Sequence, residues 1–250
     1  MKLYMDNNFC TVYKLDFNRL SKYISDNAID VEITDDLDKA EVVILGLCAA
    51  FEADEKRSYE LIKSISTDKK CYVYGCYTKV REDIVKNFTH VKYFFTWEIE
   101  KMAQEIVRSN QIHCSLLEYE LPTNFRREHE YRVFDSQKSF VAITTGCSFE
   151  CTYCPHKLGA GPPTVIEAET ILKQVSLLLE QGTRTIFLTG IDTAAYSKIA
   201  NVPFSTLLQR ILLIAERERE RERDRELSFM QEFVCRNEYY VIQLRSKSEF

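Results

Sequence analysis

Apolar and polar residues are grouped along residues 1–110 in blocks that change period several times. Residues 2–5 open with a short β-like stretch, and Leu15, Leu20, Tyr23 and Ile24 then recur at helical spacing. Residues 31–33 read as a short strand. Glu41-Val-Val-Ile-Leu-Gly-Leu47 is an unbroken apolar run, the pattern of a parallel strand buried on both faces, and it stops at Cys48. Leu61, Ile62 and Ile65 mark the buried side of a helix. The strand at residues 71–75 stops at Cys76, and Val80, Ile84 and Phe88 mark another helix. Residues 91–95 form a further strand, and Ile99, Met102, Ala103 and Ile106 a last helix. Strands and helices in alternation predict an α/β fold, an open parallel sheet with helices on both faces.

A second, shorter alternation starts at residues 139–144, a strand that runs into a cysteine-rich loop. Thr164 with Glu167 three residues on predicts a capping box, opening a helix that buries Ile171, Leu172, Val175, Leu178 and Leu179. Residues 184–188 predict the next strand, followed by Thr189 and Gly190. Leu207, Leu208, Ile211, Leu212 and Ile214 predict the next helix. Strand, loop, helix, strand, loop, helix is the start of a (β/α) barrel, which carries its chemistry on the loops after the strands. The expected barrel is incomplete. From residue 216 to 226 acid and arginine alternate, which in a helix sets like charges four apart and in a strand leaves nothing to bury. Alternating Glu and Arg is what a GA dinucleotide repeat encodes, so the sequence beyond Ala215 is expected to be foreign to the barrel; residues 229–235 and 239–244 read as strands whose tie to the barrel the pattern does not support. The expected organisation is residues 1–110 as one α/β domain, 111–138 as a linker, 139–215 as a partial barrel, and 216–250 as an atypical tail.

Composition narrows the class of protein. The chain of 250 residues has 45% hydrophobic and 28% charged residues, a soluble globular balance, and its net charge of −5 does not by itself advertise nucleic-acid binding. No apolar run reaches the roughly 20 residues of a membrane span, and residues 1–6 turn polar at once, unlike a signal peptide; a cytoplasmic protein is expected. Nine cysteines in a reducing compartment point to metal or catalysis rather than disulfides.

Cys147, Cys151 and Cys154 stand in a C-x3-C-x2-C spacing on one loop, from Thr145 to Gly161. Three thiolates so spaced wrap one face of an iron–sulfur cube, and the absence of a fourth in the loop leaves one iron open. The competing reading is structural zinc on these three and His156. Cys10, Cys48 and Cys76 each lie just past the carboxyl end of a predicted strand, and in an open parallel sheet those ends share one edge. Burial as small hydrophobes is the alternative for any one of them. Cys71, inside its strand, reads as core.

These motifs resemble those of the radical S-adenosylmethionine methylthiotransferases, over residues 1–200. Phe9-Cys10 with Asp16 resembles that family's first cysteine motif, Leu45-Gly-Leu-Cys48 with Glu52 and Lys56 its second, and Tyr74-Gly-Cys76-Tyr its third. Gly146-Cys147-Ser-Phe-Glu-Cys151-Thr-Tyr-Cys154 is close to the family's radical loop. Ile186-Phe-Leu-Thr-Gly190 with Tyr196 resembles the segment that helps hold the methionine end of the cofactor. The resemblance implies a transferase with two [4Fe–4S] clusters and S-adenosyl-L-methionine. Cys147, Cys151 and Cys154 would bind the first cluster, and Cys10, Cys48 and Cys76 the auxiliary one. Tyr153, Thr189 and Gly190 would contact the cofactor, with Tyr153 set either along the adenine or in ordinary packing. It also implies tRNA, at its anticodon loop, as partner, an electron donor such as flavodoxin or ferredoxin, and a monomer. Most members modify adenosine 37 of tRNA at carbon 2, and a minority an aspartate of a ribosomal protein. This chain departs from the family at Thr11-Val-Tyr-Lys14, where an asparagine is usual, and at Leu158-Gly-Ala-Gly-Pro-Pro, where Arg-Gly and a basic run are usual. With the rest of the barrel and the family's RNA-binding domain not recognisable, it is expected to be a shortened member, and an inactive cluster-binding fragment is the reading from a different class.

Overall fold

The computed structural model describes residues 1–8, 10–28, 31–107, 116, 138–183, 185–221, 234–236 and 239–243. The chain divides into two units, one of residues 1–121 with 147–162 and one of residues 122–146 with 163–250. The cysteine loop thus groups with the first unit rather than with the strand that precedes it. Among the described residues no helix is long and apolar enough to cross a membrane.

The first unit runs β1 (Lys2–Asn7), α1 (Thr11–Asn27), β2 (Glu32–Thr34), β3 (Val42–Gly46), α2 (Glu52–Ser64) and β4 (Lys70–Tyr74). It continues with α3 (Cys76–Val80), α4 (Glu82–Val85), β5 (Val91–Phe94), a 3-10 turn (Thr96–Glu98) and α5 (Ile99–Val107). The short helix α6 (His156–Gly159), in the cysteine loop, also belongs to it. All five strands are parallel, in the order β2-β1-β3-β4-β5. That order reverses direction between β1 and β3, the switch point where open α/β sheets leave a crevice at their carboxyl edge. β3 holds the middle of the sheet, and its five residues are all buried, as an unbroken apolar run requires. Tyr13, Phe17, Leu20 and Ile24 bury one side of α1, and Ile99, Met102, Ala103 and Ile106 one side of α5.

The second unit runs β6 (Lys138–Ala142), β7 (Thr144–Thr145), β8 (Thr164–Val165), α7 (Ala168–Glu180), β9 (Thr185–Thr189), α8 (Ala195–Ile199), α9 (Phe204–Arg221), β10 (Val234–Arg236) and β11 (Tyr239–Gln243). β6 and β9 are parallel and joined through α7, and their core gathers Val141, Ile143, Ile171, Val175, Ile186, Leu188, Leu207 and Ile211. This is the βαβα start expected of a barrel. Beyond α9 the chain returns antiparallel: β11 pairs with β9, on the side where a barrel would set its third parallel strand.

Two expectations need correction, and one connection is supplied. Thr164 does not cap a helix; it lies in β8, paired with β7, and α7 starts at Ala168 after Glu167, which makes no side-chain cap bond. Strand pairing here outweighs the local capping pattern. The Glu/Arg run does not end the helix at Ala215, since α9 continues to Arg221. The same alternation that sets like charges four apart sets unlike charges three apart, which offsets the repulsion. The tie that the sequence pattern left unsupported is present for the late strands: β10 and β11 both join the sheet of β6 and β9. Residues 111–115, 117–137, 222–233 and 244–250, with most of the expected linker and tail, lie outside the described residues.

Candidate iron–sulfur and cofactor site

The carboxyl ends of β1, β3 and β4, three adjacent parallel strands, bring Cys10, Cys48 and Cys76 to one edge of the first unit. Cys10 precedes the first turn of α1, Cys48 follows β3 by two residues, and Cys76 opens α3. The Cys48 sulfur faces the Cys76 thiol, which is placed to donate to it, and the backbone N–H groups of Ala50 and Cys10. Chiefly through the Cys76 hydrogen bond, its pKa falls to about 7 although burial opposes this. Cys76 is shifted upward by the same interaction and by burial, and the Ala49 N–H donates to its sulfur at 3.1 Å. The first proton to leave this pair therefore leaves Cys48. Cys71, inside β4, has its thiol pushed up to about 12 by burial alone, as a core cysteine should.

Asn8 locks this edge, a role its sequence context did not disclose. Its side-chain oxygen accepts from the Cys48 N–H at 2.9 Å, and its amide donates to the Asp54 carbonyl at 3.1 Å and to Ser58 at 3.0 Å. Ser58 in turn donates to the Cys48 carbonyl at 2.7 Å. Of the family-like flanking residues, Asp16 is buried in an ion pair with Arg19 at 3.0 Å, whereas Glu52 and Lys56 are exposed on α2. Burial raises the Asp16 pKa, with Arg19 opposing, so Asp16 serves the interior rather than the open edge.

The loop of Cys147, Cys151 and Cys154 closes on itself through the Cys147 N–H and the Gly161 carbonyl at 3.1 Å, and turns through the Cys154 N–H and the Cys151 carbonyl at 3.2 Å. All three cysteines are half-buried. Tyr153 is 87% exposed, and its phenol, beside Cys151, is shifted upward by that thiol's charge and hydrogen bond. Tyr153 thus takes no part in core packing.

Two glycines dock this loop on the cysteine edge. A Cβ on Gly159 would stand 2.6 Å from the Cys76 Cβ and 2.8 Å from its carbonyl oxygen. A Cβ on Gly161, whose φ is +76°, would stand 2.3 Å from the Trp97 ring. The Thr96 hydroxyl donates to the Gly159 carbonyl at 2.7 Å. Tyr13 is buried beside Cys76 and Cys10, its phenol pushed up mainly by burial and then by those thiols. The two three-cysteine sets, 71 residues apart between Cys76 and Cys147 in the chain, therefore belong to one packed unit.

Among the described residues no three His, Cys, Asp or Glu side chains converge as ligands of one ion would. A cubane asks something else, because each thiolate binds its own iron. Soft thiolates, one of them ionising near neutrality, suit such a cluster. In the second unit Thr189 and Gly190 end β9, and Gly190 lies against Thr144. Thr189 and Tyr196 are buried, the latter packing its ring edge-on to Phe204 at 5.9 Å.

Residues 141–230 match the Radical SAM superfamily, which implies a [4Fe–4S] cluster and S-adenosylmethionine. A tRNA-2-methylthio-N(6)-dimethylallyladenosine synthase of Marinomonas is 26% identical over 204 residues, 78% of this chain and 45% of the relative. The ribosomal protein uS12 methylthiotransferase RimO of Protochlamydia amoebophila is 24% identical over 193 residues, 72% of this chain and 39% of the relative. Among solved structures, the radical S-adenosylmethionine methyltransferase TsrM of Kitasatospora setae aligns with a TM-score of 0.54 at 13% identity, over 89% of this chain and 52% of that one, a likeness of fold alone. By these matches the chain is a relative of the radical S-adenosylmethionine methylthiotransferases and spans a little under half the length of those it resembles.

Proposed function

We propose that the chain acts as a methylthiotransferase, inserting a methylthio group at carbon 2 of modified adenosine 37 in tRNA by radical S-adenosylmethionine chemistry. The observation that carries this reading is the docking of the Cys147 loop, through Gly159, on Cys76, one of three cysteines gathered at a sheet edge. A single radical cluster has no need of a second thiol set, whereas sulfur insertion does.

In this reading Cys147, Cys151 and Cys154 hold one [4Fe–4S] cluster with an iron left for S-adenosyl-L-methionine, and Cys10, Cys48 and Cys76 hold the auxiliary cluster. When bound, these groups supply a carbon radical and the sulfur to be inserted. The protein's part is placement and protection. Cys48 is ready to ligate because its proton leaves near neutral pH. Asn8 and Ser58 fix the backbone that carries it. Thr96, Trp97 and Gly159 fix the loop against that edge. The family resemblance assigns Tyr153 to the adenine of the cofactor, and Thr189 and Gly190 to its methionine end. Flavodoxin or ferredoxin supplies the electron, the protein works as a monomer, and its compartment is the cytoplasm.

Anaerobic reconstitution with iron and sulfide should load about eight irons per chain, as two cubanes require. Production of 5′-deoxyadenosine should follow on addition of a reductant and S-adenosylmethionine. Mass spectrometry of tRNA nucleosides from cells with and without the gene tests the substrate: unchanged methylthio-adenosines reject the tRNA assignment. A ribosomal-protein aspartate is the second reading, favoured by the similarity to RimO. It requires a methylthio mass on that protein in the same cells.

A further inference from the structure

Three acids, Glu52, Asp54 and Glu55, stand in the first turn of α2, where the helix dipole favours negative charge. The fold does not use them alike. Glu52 is exposed, and Glu55 pairs with Arg81 at 2.9 Å. Asp54 is half-buried and forms no ion pair among the described residues; its Oδ2 instead lies 4.0 Å from the Cys48 sulfur, placed to accept from the thiol. Asn8 holds both ends of this contact, accepting from the Cys48 N–H and donating to the Asp54 carbonyl. A carboxylate is a poor neighbour for a thiol that must become a thiolate, and the Asp54 charge does oppose ionisation of Cys48. Once Cys48 has lost its proton, two anions face each other at the sheet edge that also carries Cys10 and Cys76. A bound cation turns that repulsion into attraction.

We propose that Asp54 is the fourth protein ligand of the cluster held by Cys10, Cys48 and Cys76, its carboxylate occupying the iron that the three thiolates leave open and giving way when the sulfur to be inserted arrives. The proposal rests on the functional reading above, which needs that iron free only while sulfur is being delivered. Each thiolate binds its own iron, so Asp54 binds beside Cys48 and not through it. Oxygen is a hard donor and cluster iron prefers soft ones. A carboxylate therefore closes the iron to water yet yields to sulfide or an alkylthiolate, where a fourth cysteine would not. The exchange replaces an oxygen donor with a sulfur donor on one iron, and no electron changes hands.

The full chain carrying Cys147→Ala, Cys151→Ala and Cys154→Ala keeps only the sheet-edge set. Reconstituted anaerobically with iron and sulfide, freed of excess thiol and reduced, this parent chain is titrated with methanethiol and followed by electron paramagnetic resonance. Adding Asp54→Ala should raise the apparent affinity for methanethiol by roughly tenfold or more, since the parent binds it only in the fraction of molecules whose iron the carboxylate has left. Asp54→Cys should give a cluster whose spectrum methanethiol does not change, and this variant decides alone where Asp54→Ala loads no iron. Equal affinity in the parent and Asp54→Ala overturns the proposal and leaves the functional reading standing, as does a methanethiol response in Asp54→Cys. A parent chain that loads no cluster on Cys10, Cys48 and Cys76 overturns the functional reading and the proposal together.

Discussion

Gly159→Ala is the sharpest test of how the cysteine loop is held. The added Cβ would meet the Cys76 Cβ at 2.6 Å, its carbonyl oxygen at 2.8 Å and its Cα at 2.9 Å. None of these atoms can swing aside, since all belong to the backbone or are bonded to it. Alanine is otherwise the better residue in a helix, by about 1 kcal/mol over glycine. Overpacking of this kind costs about 1–3 kcal/mol, and a shift of the loop would strain the 2.7 Å bond from Thr96 to the Gly159 carbonyl, worth about 1 kcal/mol more. The balance is a net loss of about 1–3 kcal/mol, or about 2–10 °C in Tm for a chain of this size. Thermal and urea unfolding of the cluster-free protein measure it. Gly182→Ala serves as the comparison: φ there is +84° with no atom within 4 Å, so only backbone strain of about 1–2 kcal/mol applies. Gly159→Ala at or above wild-type stability would refute the close packing of the loop on Cys76.

Thr96→Val should cost about 1 kcal/mol in urea unfolding, and combined with Gly159→Ala it should cost less than the sum, because both act on one contact. Additive losses would mean the two contacts are independent. In the cluster-free protein, thiolate absorbance should reveal one cysteine with a midpoint near pH 7, removed by Cys48→Ser. Because the Cys48 pKa is lowered in the fold, the unfolded chain holds this proton to higher pH, so its contribution to stability is absent below about 7 and grows up to the ordinary thiol value of about 9. Stability that is flat over that interval would contradict the assignment. Asn8→Ala should cost about 1–3 kcal/mol, since it leaves the Cys48 N–H without its acceptor, and the Cys48 midpoint should move with it. Loss of less than about 0.5 kcal/mol would show that water replaces the asparagine.

The sequence carried those parts of the fold that depend on burial along a single element. The run at residues 41–47 could only be an interior strand, and β3 is one, with a cysteine two residues past its end. Finding the three strand-end cysteines needed no contacts at all, because parallel pairing alone sets those ends on one edge. What stayed hidden depends on partners distant in the chain. Gly159 and Gly161 could be read as loop glycines, but nothing local says that Cys76 and Trp97 fill the space their side chains would take. Asn8 stands two residues before Cys10 and spends its hydrogen bonds on residues 48, 54 and 58. Thr144 lies in β7 and Gly190 just past β9, and their fit appears only when β6 and β9 are aligned. Thr164 misled because a capping box is a local preference and the β7–β8 pairing is not.

The two cysteine sets are held by different means, and the difference orders their dependence on one another. Cys10, Cys48 and Cys76 are placed by the sheet itself, so their positions follow from strand order and from backbone donors aimed at Cys48. Cys147, Cys151 and Cys154 span eight residues outside any helix or strand, turned by the bond from the Cys154 N–H to the Cys151 carbonyl and closed by that from the Cys147 N–H to Gly161. Such a loop has little internal cause to keep one shape, since fixing each residue costs about 1–2 kcal/mol of chain entropy. Its shape is imposed from outside, by Thr96, Trp97 and the backbone of Cys76. The sheet edge can therefore form without the loop, whereas the loop takes its position from the sheet edge. The proposed reaction, with a radical from one set and sulfur from the other at the same carbon atom, would tolerate little error in their separation. Tying the loop to Cys76 of the sheet-edge set, through a residue with no side chain to intervene, is a short connection between the two.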